Sequence, residues 1–171
     1  MKDSRSNVVV DALVGAMAGA AAVWVMDRVD WFNFRHEDPE ARARTQAVRP
    51  RGLTPAPLLA DKIAKGLGLD LQPANDSAAG KAVHYAIGIM PGALYGALRH
   101  KVPGLDAGRG ALFGTGLFLI QDEGLNAVVG LSAKPQDYPW QAHARGFAAH
   151  IVYGLVLDTT IRLADSWRRS R

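Results

Sequence analysis

Between about Ala82 and Leu98 an apolar run carries glycine at every fourth position, Gly88, Gly92 and Gly96. Three further apolar runs repeat the habit at spacings of four or eight, with Gly15 and Gly19, Gly110 and Gly114, and Gly146 and Gly154. On a helix this spacing lays a side-chain-free stripe along one face, so another helix can approach to backbone contact. Such a stripe serves best where packing, and not the expulsion of water, drives association. Pro91 points the same way: it breaks a soluble helix interior but is tolerated in a membrane, where neighbours re-satisfy the freed carbonyl. The predicted fold is an all-α polytopic membrane protein. Its bundle has four glycine-rich transmembrane helices, at about 8–27, 81–99, 107–131 and 140–164, with short amphipathic helices in the long connection 35–80.

The chain has 171 residues, enough for one domain, and 49% are hydrophobic. The charges crowd between the apolar runs. There are 20 Lys and Arg against 16 Asp and Glu, a net charge of +4. A positive balance suits anionic lipid or nucleic acid, but the basic residues lie in loops and in the tail Arg162, Arg168, Arg169 and Arg171, with no nucleic-acid motif. The expected partners are the lipid bilayer and a second copy or a membrane-complex subunit, with no nucleic acid. Without cysteine, disulfides and thiolate chemistry are excluded. Asp11 inside the first apolar run argues against a cleaved signal peptide and for an uncleaved first membrane helix. The short basic tail favours cytoplasmic termini, although the loop between Arg35 and Lys65 is basic as well.

The first run, Val8 to Met26, is long enough to cross a hydrocarbon core. Trp24, Trp31, Phe32 and Phe34 then resemble an interfacial aromatic belt, matched by Tyr138 and Trp140 before the fourth run. In the charged connection, Asp38 can cap a helix beginning at Pro39, and Thr54 one beginning at Pro55. Leu59, Ile63 and Leu67 recur at helical spacing opposite Asp61, Lys62 and Lys65. That helix would lie on a membrane surface or pack over the bundle. Asp106 is placed to cap the third run, which Gln121, Asp122, Glu123 and Asn126 interrupt before Ala127 to Leu131 resume it.

On the fourth run His143, His150 and Asp158 fall at spacings of seven and eight, with Gly146 and Gly154 on the same face. Asp27, His84, Asp122, Glu123 and Asn126 can reach the same interior from the other helices. Imidazoles and carboxylates inside a membrane bundle have three functional readings: a proton relay or sensor, a metal site, or a site for a polar ligand. The plainer alternative is interhelical hydrogen bonding that closes the bundle. The metal reading has no Glu-x-x-His pair or His-Glu-x-x-His helix behind it. No cofactor and no catalytic residue is expected: the serines lie outside the cluster, there is no Gly-x-Ser-x-Gly elbow, and the glycines form packing stripes instead of a phosphate cradle. A non-catalytic scaffold or accessory subunit, a membrane metal protein and a peripheral helical bundle are the competing classes.

Several short stretches resemble the YagU-like family of bacterial inner-membrane proteins. They are Trp24-Val-Met-Asp27, His84-Tyr85, Tyr95-Gly96, Asp122-Glu123 with Gly130-Leu131-Ser132, and Tyr138-Pro139 with His143, Ala148-Ala149-His150 and Val152-Tyr153-Gly154. The resemblance implies a multi-pass protein of the bacterial inner membrane and assigns no activity. Joined to the polar face of the fourth run, it leads to an expectation of proton sensing or conduction, or polar-ligand binding, in acid or envelope stress.

Overall fold

In a computed structural model, which describes residues 7–170, all regular structure is helical. Helix α1 (Val8–His36) begins at Asn7, whose side chain accepts the Val9 N–H at 3.1 Å. It runs well past the end expected near residue 27. Arg28 stacks on the Trp24 ring at 3.8 Å, Arg35 stacks on Trp31 at 4.4 Å, and the His36 ring donates to the Phe32 carbonyl at 2.8 Å. These contacts carry the helix through a polar stretch that hydropathy alone would end.

Helix α2 (Pro39–Val48) is capped as predicted, Asp38 accepting the N–H groups of Glu40 and Ala41 at 2.8 and 2.9 Å. Helix α3 (Pro55–Gly66) starts where expected, but Thr54 does not cap it: its hydroxyl donates to Asn75 Oδ1 at 3.0 Å. The predicted stripe faces away from the bundle, with Ile63 49% and Leu67 71% exposed. Ala56, Leu58, Ala60 and Asp61 are the buried face, and through its small residues α3 packs on the helix that follows it in the chain, Ala78–Leu98.

On that buried face the Asp61 carboxylate is tied to Arg51 at 2.7 Å and to Lys65 at 2.9 Å. Lys65 first, then Arg51, hold this carboxyl below the usual carboxylate range. A depressed carboxyl stabilises the fold above its unfolded pKa of about 3.9, and the contribution is lost as pH falls through the lower folded value. Asp61→Asn is expected to raise amide exchange across residues 50–66 at neutral pH. Wild type should lose the same protection, measured against the intrinsic exchange rate at each pH, only in strong acid.

Helix α4 (Ala78–Leu98) is capped by Ser77, which accepts the Gly80 N–H at 3.1 Å, and passes Pro91 unbroken. Helix α5 (Ala111–Leu117) starts later than predicted. Arg109 and Gly110 adopt positive φ, +59° and +87°, and Asp106 caps nothing because its carboxylate receives Arg162 at 2.8 Å. A π-helical stretch, Phe118–Leu125, continues α5 into the short α6 (Asn126–Val128). Helix α7 (Trp140–Arg169) closes the chain.

Helix α1 runs antiparallel to both α4 and α7, and α5 antiparallel to α7, giving the lateral order α4, α1, α7, α5. The glycine stripes form the seams. A methyl placed on Gly92 would stand 2.7 Å from the Gly15 carbonyl oxygen and 2.8 Å from Gly19 Cα, while Gly96 meets the backbone of Asp11 and Gly15. Gly110 and Gly114 meet the backbone of Gly154 and His150 in the same way. The buried core is Ala18, Ala22, Val23, Tyr95, Tyr153, Leu157 and Ile161. Many of the larger aliphatic side chains point outward instead, among them Leu13, Met17, Met90, Leu94, Leu112, Ile120 and Leu163. Helices α1 and α7 are long and apolar enough to cross a membrane. Trp24, Trp31 and Trp140 are exposed at the same end of the bundle, the end that α2 and α3 cover.

Candidate functional site

At that end the helices part around a cavity of about 310 Å³. Seven of the eight residues singled out from the sequence line it: Asp27, His84, Asp122, Glu123, Asn126, His143 and His150. The π-helical stretch explains how one strand of helix contributes so many. Its wider turn brings Gln121, Asp122, Glu123 and Asn126 all to the cavity side, which a 3.6-residue turn would spread around the helix.

The carboxylates meet histidines pairwise. His84 Nε2 lies 2.8 Å from Asp27 Oδ1, His143 Nδ1 2.6 Å from Glu123 Oε1, and His150 Nδ1 3.8 Å from Asp122 Oδ2. Asn126 donates to Asp122 at 3.3 Å. His150 Nδ1 donates to the Gly146 carbonyl at 2.9 Å, which fixes its tautomer. His143 is bonded on both sides: Nδ1 faces Glu123, and Nε2 lies 3.1 Å from the Pro135 carbonyl oxygen. A neutral imidazole donates once, and a carbonyl only accepts. Both bonds therefore require one proton more than a neutral His143 beside an ionised Glu123. The pair is either imidazolium with carboxylate or imidazole with carboxylic acid, and is neutral in both forms.

Asp158 stands apart. It is fully buried toward the opposite end of the bundle, accepting Tyr95 Oη at 2.8 Å and Arg162 Nε at 2.6 Å, with Arg109 at 3.7 Å. Eight residues along α7 separate it from His150, about 12 Å of helix. Between them lie the Gly114 and Gly154 backbone contact and the buried Tyr153 and Leu157. The shared face of α7 thus serves two polar clusters, and the expected single cluster is corrected on that point. Arg99 with Asp165, and Arg168 with Asp11, complete the second one.

Sequence reasoning missed Asp30, Arg49 and Arg145. Arg145 Nε reaches Asp30 at 3.1 Å, its Nη1 reaches Glu37 at 3.5 Å, and its guanidinium lies over Phe34 at 4.8 Å. An arginine two residues after His143, within a stretch read as a membrane helix, was the available signal. Arg49, at the end of α2, gave none.

Among the described residues no group of three or more His, Asp or Glu side chains stands close enough to hold a metal ion. Compared with family models, curated proteins and solved structures, the chain matches none.

Proposed function

We propose that this is a four-pass membrane protein whose one-ended polar cavity binds a small polar ligand under the control of protons. The membrane reading is supported by the many bulky aliphatic side chains that face outward, around a narrow core of alanines, two tyrosines, Val23, Leu157 and Ile161. Helix α4, 21 residues and about 31 Å long, and the continuous run from α5 to α6, at most about 27 Å long, supply the other two passes. Membership of the YagU-like family and a place in the bacterial inner membrane belong to the same proposal and rest on the short sequence stretches that resemble that family.

The observation that carries the proton reading is His143 with an acceptor on each ring nitrogen. Loss of one proton from the His143 and Glu123 pair must break one of the two bonds, and one of those bonds holds the loop at Pro135. Asp27, Asp30, Asp122, His84, His150, Arg49, Arg145 and Tyr138 face the same cavity and share in setting the pH at which this occurs. Acid or envelope stress is the setting such a response would serve. Conduction across the bundle is the disfavoured branch, because the glycine seam, Tyr153 and Leu157 stand between the two clusters.

Proton flux in liposomes is expected to be equal for wild type and His150→Ala. Amide protection in residues 131–139, taken against the intrinsic exchange rate at each pH, should fall as pH rises in wild type and be low at every pH in His143→Gln. A flux that depends on His150 would show an open path, and a wild-type loop indifferent to pH would remove the sensing role.

A further inference from the structure

Every carboxylate on the cavity wall is already committed to a partner of this chain: Asp27 to His84, Asp30 to Arg145, Asp122 to His150 and Asn126, and Glu123 to His143. Arg49 is the exception among the wall's charges. Arg49 lines the cavity, yet its guanidinium makes no hydrogen bond or ion pair among the described residues. The nearest acids, Asp30 and Glu37, are both bonded to Arg145, and Arg145 repels it. Burial first, and then the Arg145 charge, make the protonated form of Arg49 less favourable than it would be in water. A planar, always-charged fork of donors held in this way is complementary to a planar or tetrahedral oxyanion, which it can grip with two parallel bonds.

We infer that the cavity's ligand carries a carboxylate or phosphate group and that Arg49 receives it. The inference rests on the cavity being a ligand site and names the chemistry of what enters. The remaining wall, with its histidine and carboxylate pairs and Asn126, is left to the ligand's hydroxyl or amino groups. The same oxyanion could be a free metabolite's or a phospholipid headgroup's, since the cavity lies at the bundle end where Trp24, Trp31 and Trp140 are exposed.

The purified full chain in neutral detergent, at constant ionic strength, is melted with inorganic phosphate, acetate, ethanolammonium or glycerol, and in micelles doped with phosphatidylglycerol or phosphatidylcholine. Phosphate or acetate is expected to raise the wild-type Tm. Arg49→Gln should need at least about tenfold more anion for the same rise, and Arg49→Lys an intermediate amount. Stabilisation by phosphatidylglycerol without any by free anions would assign the oxyanion to a lipid headgroup. Arg35→Gln, on an exposed arginine, controls for general charge. Without probe, Arg49→Gln should melt at or above the wild-type temperature, because it removes a partly buried charge that has no bonded partner and is repelled by Arg145; a lower Tm would mean that Arg49 is structural and would overturn the inference. Equal anion response in Arg49→Gln would overturn it too. Stabilisation by ethanolammonium alone would refute the anion and leave the ligand site standing, while no response to any probe would remove both.

Discussion

Gly92→Ala is expected to lower stability while Gly116→Ala raises it, although both change the same atom count in the same kind of helix. At Gly92 the new methyl meets the Gly15 carbonyl and Gly19 Cα, backbone atoms that no rotamer change can withdraw. Overpacking of that sort costs about 1–3 kcal/mol, and the fixed backbone on both sides places Gly92 near the top of the range. At Gly116 nothing lies within 4 Å, so alanine only removes the conformational freedom that glycine loses on folding, a gain of about 0.5–1 kcal/mol. Thermal melting in detergent, followed by circular dichroism, should show Tm shifts of opposite sign. Equal shifts would mean that the α1 and α4 seam is looser than described.

Asp158→Ala is expected to be the most damaging polar substitution, at about 3 kcal/mol. The carboxylate is fully buried, and its removal strands the Tyr95 hydroxyl, which has no water to turn to. Arg162 is 41% exposed and recovers part of its hydration, which keeps the cost at the low end of the range for broken buried pairs. Tyr95→Phe alone should cost about 1 kcal/mol, and the double variant less than the sum, because the two changes delete one shared bond. Strict additivity would show that the two groups are not coupled.

The glycine spacing in the sequence was enough to foretell which helix faces meet. A face without side chains has one use in packing, and the contacts of Gly15, Gly19, Gly92 and Gly96 follow directly. Asp38 as a cap was equally legible, being a local matter of one side chain and two N–H groups. Thr54 and Asp106 were misread because each found a partner distant in sequence, Asn75 and Arg162, that outweighed the local bond. The stripe on α3 was legible as a stripe but not in its direction. Of the two placements it allowed, the bundle takes the one in which small residues and a tethered carboxylate face inward and Ile63 and Leu67 face out. In the candidate site, helical spacing correctly grouped His143, His150 and Asp158 on one face, but a shared face says nothing about depth along the axis. The π-helical turn was invisible too, since Gln121 to Asn126 read only as an interruption.

The seams of α1 with α4 and of α5 with α7 also govern how such a protein can drift. On its outward sides leucine, isoleucine and methionine meet no neighbouring helix and can replace one another freely. Along the seams no replacement is free. Two chains descended from one ancestor could disagree at almost every bulky position and still share a single register of gaps, so kinship in this architecture is recorded where side chains are missing.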